Sequence, residues 1–207
     1  MKLYYAPGAC SLAPHIALNE AQIPHEAVRV DLREHKLADG TDYYTINPKG
    51  YVPLLELDDG QRLTEVAVIL QHIADRKPGT LAPAFGSLER YRLMEWLNFI
   101  ATEIHKGWSP LWKPTTPDAY KEILVANVAG RLDYIEPILA KQPYLTGDAF
   151  TIADAYLFTI VNWHPFLKTD ISKWPALVAF QKRVAARPKV HETLKAEHLI
   201  KEAKAAA

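Results

Sequence analysis

Apolar and polar positions follow two different rhythms along this chain. In the first third, short runs with strand character alternate with helical spacing. Lys2–Tyr5 is a brief strand-like run closed by Pro7-Gly8. Ser11–Ala21 carries Leu12, Ile16 and Leu18 at roughly helical intervals. Glu26–Val30, Val52–Leu57 and Gln61–Leu63 read as further strands, with an irregular or helical stretch between the first two of these. Glu65–Lys77 reads as a helix. Asp59-Gly60 between the last two strands predicts a hairpin with a type I′ turn, which needs positive φ at both positions. A helical crossover joining the first two strands implies that they pair in parallel, and the hairpin is antiparallel. The expected product is a small mixed sheet with helices packed on it.

The rhythm changes at Lys77-Pro78-Gly79-Thr80-Leu81-Ala82-Pro83-Ala84-Phe85-Gly86, a proline- and glycine-rich break. It suggests one unit over residues 1–79, a linker over 80–86 and an all-helical unit over 87–207. Strand signals do not return. Ser87–Lys106 predicts a long helix with Leu93, Leu97, Ile100 and Ile104 on one face. Asn98, Thr102 and His105 share a second, polar face by their spacing of four and three. Thr116-Pro117 looks like an N-cap followed by proline at the first helical position. The helix after it is expected to reach about Lys141, with a bend near Gly130 or Pro137. Thr151-Ile152-Ala153-Asp154 has the spacing of a capping box, with Asp in place of Glu. Two more helices are expected after Pro175 and Pro188, and a frayed end over 201–207.

Composition narrows the function. Of 207 residues, 49% are apolar and 23% charged, which suits a globular protein with a full core. Lys plus Arg number 24 and Asp plus Glu number 24, so no net charge draws the chain to nucleic acid or to an anionic membrane. No apolar run, such as Val66–Leu70, is long enough to span a bilayer, and the first residues lack the apolar segment of a signal peptide. The single cysteine, Cys10, rules out an internal disulfide and fits a reducing compartment, for which the cytoplasm is the default. The histidines are scattered, and His191-Glu192 with His198 does not have zincin spacing, so no metal is expected. Phosphate-loop, nucleophile-elbow and nucleotide fingerprints are absent from the sequence.

Four places could carry chemistry, and each has an ordinary alternative. Cys10 follows a turn and precedes a helix, where free N–H groups and the helix dipole favour a thiolate. It could equally be a small core residue. Cys10-Ser11-Leu12-Ala13 contains no resolving thiol, so thiol chemistry here requires an external thiol. Val52-Pro53 opens a strand, either plainly or through a cis bond that bares the Val52 backbone for an added peptide strand. Glu65 and the helix start at Val66 could hold an amino-acid zwitterion, or Glu65 could simply cap the helix. The Asn98, Thr102 and His105 face is either a solvated surface or part of a site.

The run Met1-Lys2-Leu3-Tyr4-Tyr5-Ala6-Pro7-Gly8-Ala9-Cys10-Ser11-Leu12 resembles the opening of beta-class bacterial glutathione transferases. The segments Asn47–Pro53, Leu63–Glu65, Glu95–Phe99, Glu103–Gly107 and Phe150–Phe158 resemble further signatures of that family. The resemblance implies a thioredoxin-like N-terminal domain, an all-helical C-terminal domain, a homodimer and glutathione as cosubstrate. It places Cys10 and His105 near the glutathione sulfur, with the Ser11 hydroxyl as a further stabiliser of the thiolate. Val52 and Pro53 would present the backbone that pairs with the tripeptide. Glu65 and Val66 would hold the γ-glutamyl end, although the family usually has Gly or Ser at position 66. His35 stands where the family often has Lys to meet the glycyl carboxylate, and Lys36 is adjacent. Asn98, Thr102 and Glu103 would reach the glutathione site, some from the partner subunit. The implied reaction joins glutathione to a small hydrophobic electrophile, with thiol–disulfide exchange or dehalogenation through a Cys10–glutathione mixed disulfide as the runner-up. A non-catalytic glutathione-binding or stress-associated protein is the remaining alternative. Trp108, Trp112, Trp163, His164 and Phe166 are candidates for the electrophile pocket, and Tyr5 is expected to be structural.

Overall fold

The computed structural model describes residues 1–200, and the expected fraying of 201–207 lies outside them. Five strands form one mixed sheet: β1 (Lys2–Tyr5), β2 (Glu26–Asp31), β3 (Lys36–Leu37), β4 (Leu54–Glu56) and β5 (Arg62–Leu63), in the order β3-β2-β1-β4-β5. The crossover through α1 (Leu12–Glu20) makes β1 and β2 parallel, with Leu3 opposite Ala27. β4 returns antiparallel to β1, with Leu3 opposite Leu55, and β5 pairs antiparallel with β4. A helix α2 (Val66–Arg76) closes this half. The fold is a thioredoxin-like half joined to an all-helical half, as the two rhythms of the sequence predict.

The helical half comprises α3 (Leu88–Phe99), a π-helical turn over Ile100–His105, a single turn α4 (Lys106–Trp108), and then α5 (Asp118–Leu139), α6 (Ile152–Val161), α7 (Pro175–Ala185) and α8 (Pro188–Ala196). The expected apolar face is real: Leu93 and Leu97 on α3 and Ile100 and Ile104 on the π-helical turn are all buried. α1 and α6 are covered on nearly every side, because they lie where the sheet half meets the helical half. Polar side chains stitch that seam. Arg187 makes a bidentate pair with Glu20 at 2.7 and 2.8 Å, and Asn19 donates to the Thr193 hydroxyl at 2.7 Å.

Several local expectations change. β3 is too short to show a period and falls in the stretch read as irregular or helical. In the hairpin only Gly60 has positive φ (+81°), and its N–H donates to the Leu57 carbonyl. A turn ending in left-handed glycine therefore replaces the type I′ turn, since Asp59 does not adopt the positive φ that type I′ demands. α5 begins one residue later than expected: Pro117 is the cap, and the Thr116 hydroxyl donates back to Pro110 instead of capping. α5 runs through both Gly130 and Pro137 to Leu139.

The capping box at α6 is present and buried. The Asp154 carboxylate accepts from the Thr151 N–H and hydroxyl and from the Leu145 N–H, all at 2.8 Å. Burial nevertheless raises its pKa to about 6, against the lowering effect of those donors. Asp154→Ala would strand those donors without solvent. We expect it to cost about 2–4 kcal/mol, read as a lower urea midpoint at unchanged slope. A shift below 0.5 kcal/mol, roughly what a neutral surface change gives, would contradict that role.

Candidate functional site

The loop from β1 to α1 is held before any ligand arrives. Gly8 has φ +70°, a conformation that favours glycine, and a Cβ there would press on the Leu199 side chain at 3.1 Å. The Gly8 N–H donates to Glu197 Oε2 at 2.9 Å, and its carbonyl accepts from Trp163 Nε1 at 2.9 Å. The other Glu197 oxygen pairs with His15 Nδ1 at 2.7 Å, deep in the seam. Ser11 is wholly buried; its hydroxyl accepts from the Ala6 N–H and donates to the Ala6 carbonyl. Ser11 thus braces the loop and does not line the cavity, so the expected thiolate-stabilising role gives way to a structural one.

Cys10 projects from this loop onto Val52, and its Sγ–H donates to the Val52 carbonyl at 3.3 Å. The Val52-Pro53 peptide is cis, as the strand-opening proline suggested. Burial pushes the Cys10 thiol up to about 12, outweighing the nearby Cys10 and Ser11 N–H groups and Lys106. The helix-terminal setting was expected to depress that pKa below its free value, and the low-dielectric surroundings reverse the sign. At neutral pH the Cys10 thiol of the free protein is protonated.

Cys10, Val52, Pro53, Glu65, Val66 and His105 come together around one cavity of about 240 Å³. Glu65 has φ +69°, a strained setting for a residue with a side chain, and it delivers the chain into α2. Its carboxylate accepts from Lys49 Nζ at 2.9 Å and from the Tyr51 hydroxyl at 3.4 Å. The Lys49 bond holds the Glu65 carboxyl below the usual range. The N–H groups of Val66 and Ala67 begin α2 and have no carbonyl within the helix to reach. An acid beside free helix-terminal amides can take up both ends of an amino-acid zwitterion.

His105 reaches this cavity because the helix changes pitch. Over Ile100–His105 the turn widens, and the Lys106 N–H bonds to the Ala101 carbonyl five residues back. Each residue then turns through less than in an α-helix, which swings His105 away from Thr102 while leaving it beside Ala101 on the cavity wall. Asn98 and Thr102 are left on another face. The common face expected for Asn98, Thr102 and His105 does not form. Asn98, Thr102 and Glu103 instead line an outer groove with Trp96, Phe99 and Tyr134, and Glu103 pairs with Arg131 at 2.7 Å. Burial pushes the His105 imidazole down to about 4, so the ring is neutral at pH 7. Its Nδ1 lies 2.7 Å from the Tyr156 hydroxyl.

His35 and Lys36 do not join the cavity: His35 has φ +52° with its ring on Tyr44, and Lys36 is exposed in β3. Sequence reading missed Tyr51, Ala101, Lys106 and Tyr156 on the cavity wall. Tyr51 and Lys106 adjoin residues already singled out, whereas Tyr156 sits in an apolar run with no signal of its own.

A second cavity, about 510 Å³, adjoins the first and shares Cys10, Tyr51 and Val52 with it. Ala6–Ala9, Leu32, Ser109, Trp112 and Trp163 form its remaining wall. Of the five aromatic candidates, Trp112 and Trp163 are there, edge to face at 5.6 Å. Trp108 is core, Phe166 is largely exposed, and His164 faces the Thr169 carbonyl instead. Tyr5 lines neither cavity.

Comparison with known proteins agrees with this architecture. The family described as glutathione S-transferase, N-terminal domain, matches residues 8–76, and the glutathione S-transferase C-terminal domain matches 99–188. Glutathione S-transferase GstA of Escherichia coli is 47% identical over 201 residues, covering 96% of this chain and all of that protein. Among solved structures, the bacterial transferase BphK in a ternary complex is 51% identical with a TM-score of 0.94, over 96% of this chain and 100% of that one. A sphingomonad glutathione S-transferase complexed with glutathione is 46% identical with a TM-score of 0.92, over 97% and 100%. With both halves matched and the cysteine, the cis-proline and the acid gathered at one cavity, this chain belongs to the glutathione S-transferase family.

Proposed function

We propose that this enzyme binds glutathione in the Cys10 cavity and transfers its sulfur to a small hydrophobic electrophile held in the adjoining one. The observation that carries this reading is the shared wall: Cys10, Tyr51 and Val52 belong to both cavities, so a sulfur lying at Cys10 faces the second pocket directly. In this reading Val52 pairs with the cysteinyl backbone of the tripeptide as an added strand would. Glu65 takes the γ-glutamyl ammonium, and the Val66 N–H takes the α-carboxylate. Lys106, the cation on the cavity wall, assumes the carboxylate-binding part expected of His35 and Lys36. The Trp112 and Trp163 rings favour flat, uncharged electrophiles. Asn98, Thr102 and Glu103 lie on the face we assign to the second copy in a homodimer. We place this conjugation, a detoxifying role, in the cytoplasm, since a single cysteine suits a reducing compartment.

Calorimetric titration with glutathione, followed by assay against aryl halides, epoxides and peroxides, tests the reading. Binding in the millimolar range or tighter and turnover of at least one electrophile are expected; absence of binding would overturn it. Glu65→Gln keeps the shape but loses the charge, and is expected to weaken binding about tenfold or more, equivalent to about 1.4 kcal/mol.

The protonated state of Cys10 ranks conjugation ahead of thiol exchange. Thiolate concentration below a pKa near 12 grows tenfold per pH unit. Alkylation of Cys10 by iodoacetamide in the free protein is therefore expected to keep rising beyond pH 10, and a plateau near pH 8 would contradict the burial argument. Oxidised glutathione is expected to add one glutathione per chain, slowly and reversibly, as its disulfide is attacked by the Cys10 thiolate and one reduced glutathione leaves. Cys10→Ala removes that adduct while conjugation persists in part; intact-mass spectrometry reads both variants. An unmodified wild type would leave Cys10 as a packing residue.

A further inference from the structure

Tyr156 stands on α6 with its hydroxyl 2.7 Å from Nδ1 of His105, and the two rings meet nearly edge to face at 5.8 Å. Trp163 flanks the same imidazole from another side at 5.1 Å. His105 Nδ1 is the one partner the phenol finds among the described residues. The opposite ring nitrogen, Nε2, has no protein partner among the described residues and is not sealed from solvent, and His105 lines the cavity that contains Cys10.

A neutral imidazole carries one proton, and the 2.7 Å contact admits two arrangements. In one, Nδ1–H donates to the phenol oxygen, and the buried phenol O–H is left with no acceptor. In the other, the phenol O–H donates to Nδ1, and the ring proton sits on Nε2. The second leaves no buried donor unpaired, and burial favours it for that reason. Burial also keeps His105 neutral, with a pKa near 4, so Nδ1 remains an acceptor at pH 7.

We propose that Tyr156 is a positioning residue that donates to Nδ1 of His105, fixes the ring proton on Nε2, and so makes His105 a hydrogen-bond donor to sulfur in the Cys10 cavity. The assignment to sulfur rests on the reading that glutathione occupies this cavity; the tautomer does not. In the resulting arrangement His105 stabilises a thiolate that has already lost its proton. It does not collect that proton, because its lone pair is occupied by Tyr156.

The test begins with ¹⁵N spectra of the histidine rings in uniformly labelled, ligand-free protein, His105 being assigned by the signal lost in His105→Gln. A single Nε2–H tautomer is expected, with Nδ1 displaced by an accepted hydrogen bond. Tyr156→Phe is expected to remove that displacement, and to lower kcat for conjugation about tenfold while KM for glutathione changes less than twofold. The Gln amide nitrogen reaches the position of Nε2, whereas that of Asn reaches only Nδ1. His105→Gln is therefore expected to retain more activity than His105→Asn. An Nδ1–H tautomer in wild type, ring signals unchanged in Tyr156→Phe, or equal activity in the Gln and Asn variants would overturn the proposal. If Tyr156→Phe does not fold, the wild-type spectrum and the Gln/Asn pair still decide. Loss of glutathione binding by the wild type would remove the sulfur assignment and leave the tautomer result standing.

Discussion

Everything at the site hangs on the two hydrogen bonds that grip the Gly8 residue. Its N–H is taken by Glu197 and its carbonyl by Trp163, both from the helical half. The loop that carries Cys10 thus belongs by sequence to the sheet half and by hydrogen bonding to the other. Glu197 is itself fixed by His15 on α1, so the grip closes a ring from loop to helix to C-terminal segment and back. A loop end left to itself would sample many conformations. Held at this one residue and braced by Ser11, it places a sulfur against Val52 and between two cavities.

That placement sets a protonated protein thiol beside the open space of two cavities. Burial penalises the Cys10 thiolate, and the Val52 carbonyl gives the proton somewhere to point. Glu65, held by Lys49, and the free amides of α2 form the polar end of the cavity. The neutral His105 and Cys10 form its sulfur end. A ligand with an amino acid at one end and a thiol several bonds away matches both ends. The widened turn at Ile100–His105 is the local device that turns His105 inward, and such turns recur where a helix must aim one side chain.

Much of this was legible in the sequence. The parallel pairing of β1 with β2 and the antiparallel pairing of β4 with β5 followed from the single crossover and the hairpin, whereas the seat of β4 beside β1 and the edge strand β3 did not; the buried face formed by Leu93, Leu97, Ile100 and Ile104 followed from their spacing. Cys10, Val52-Pro53 and Glu65 each stood out through neighbours close in the chain, whereas His105 stood out through a spacing that the structure does not keep and through the family resemblance. What escaped was long-range or depended on geometry finer than a period. Glu197 lies 189 residues from the loop it fixes, and nothing near it marks that contact. Tyr156 is one aromatic in an apolar helix. The π turn moves His105 off the face that a uniform helical spacing assigns to it, away from Asn98 and Thr102. The sign of the Cys10 shift depends on how deeply the folded chain encloses the sulfur, and a helix-terminal position alone suggests the reverse.

In the proposed function glutathione would lie along Val52 with its sulfur at Cys10 and His105, facing the pocket walled by Trp112 and Trp163. A crystal structure with glutathione bound measures this directly. The cysteinyl backbone is expected to pair with Val52, the γ-glutamyl group to lie at Glu65 and the start of α2, and the sulfur to touch Cys10 within hydrogen-bonding reach of His105 Nε2. Glutathione found instead in the groove of Trp96, Phe99 and Tyr134, or with its sulfur turned away from Cys10, would contradict it.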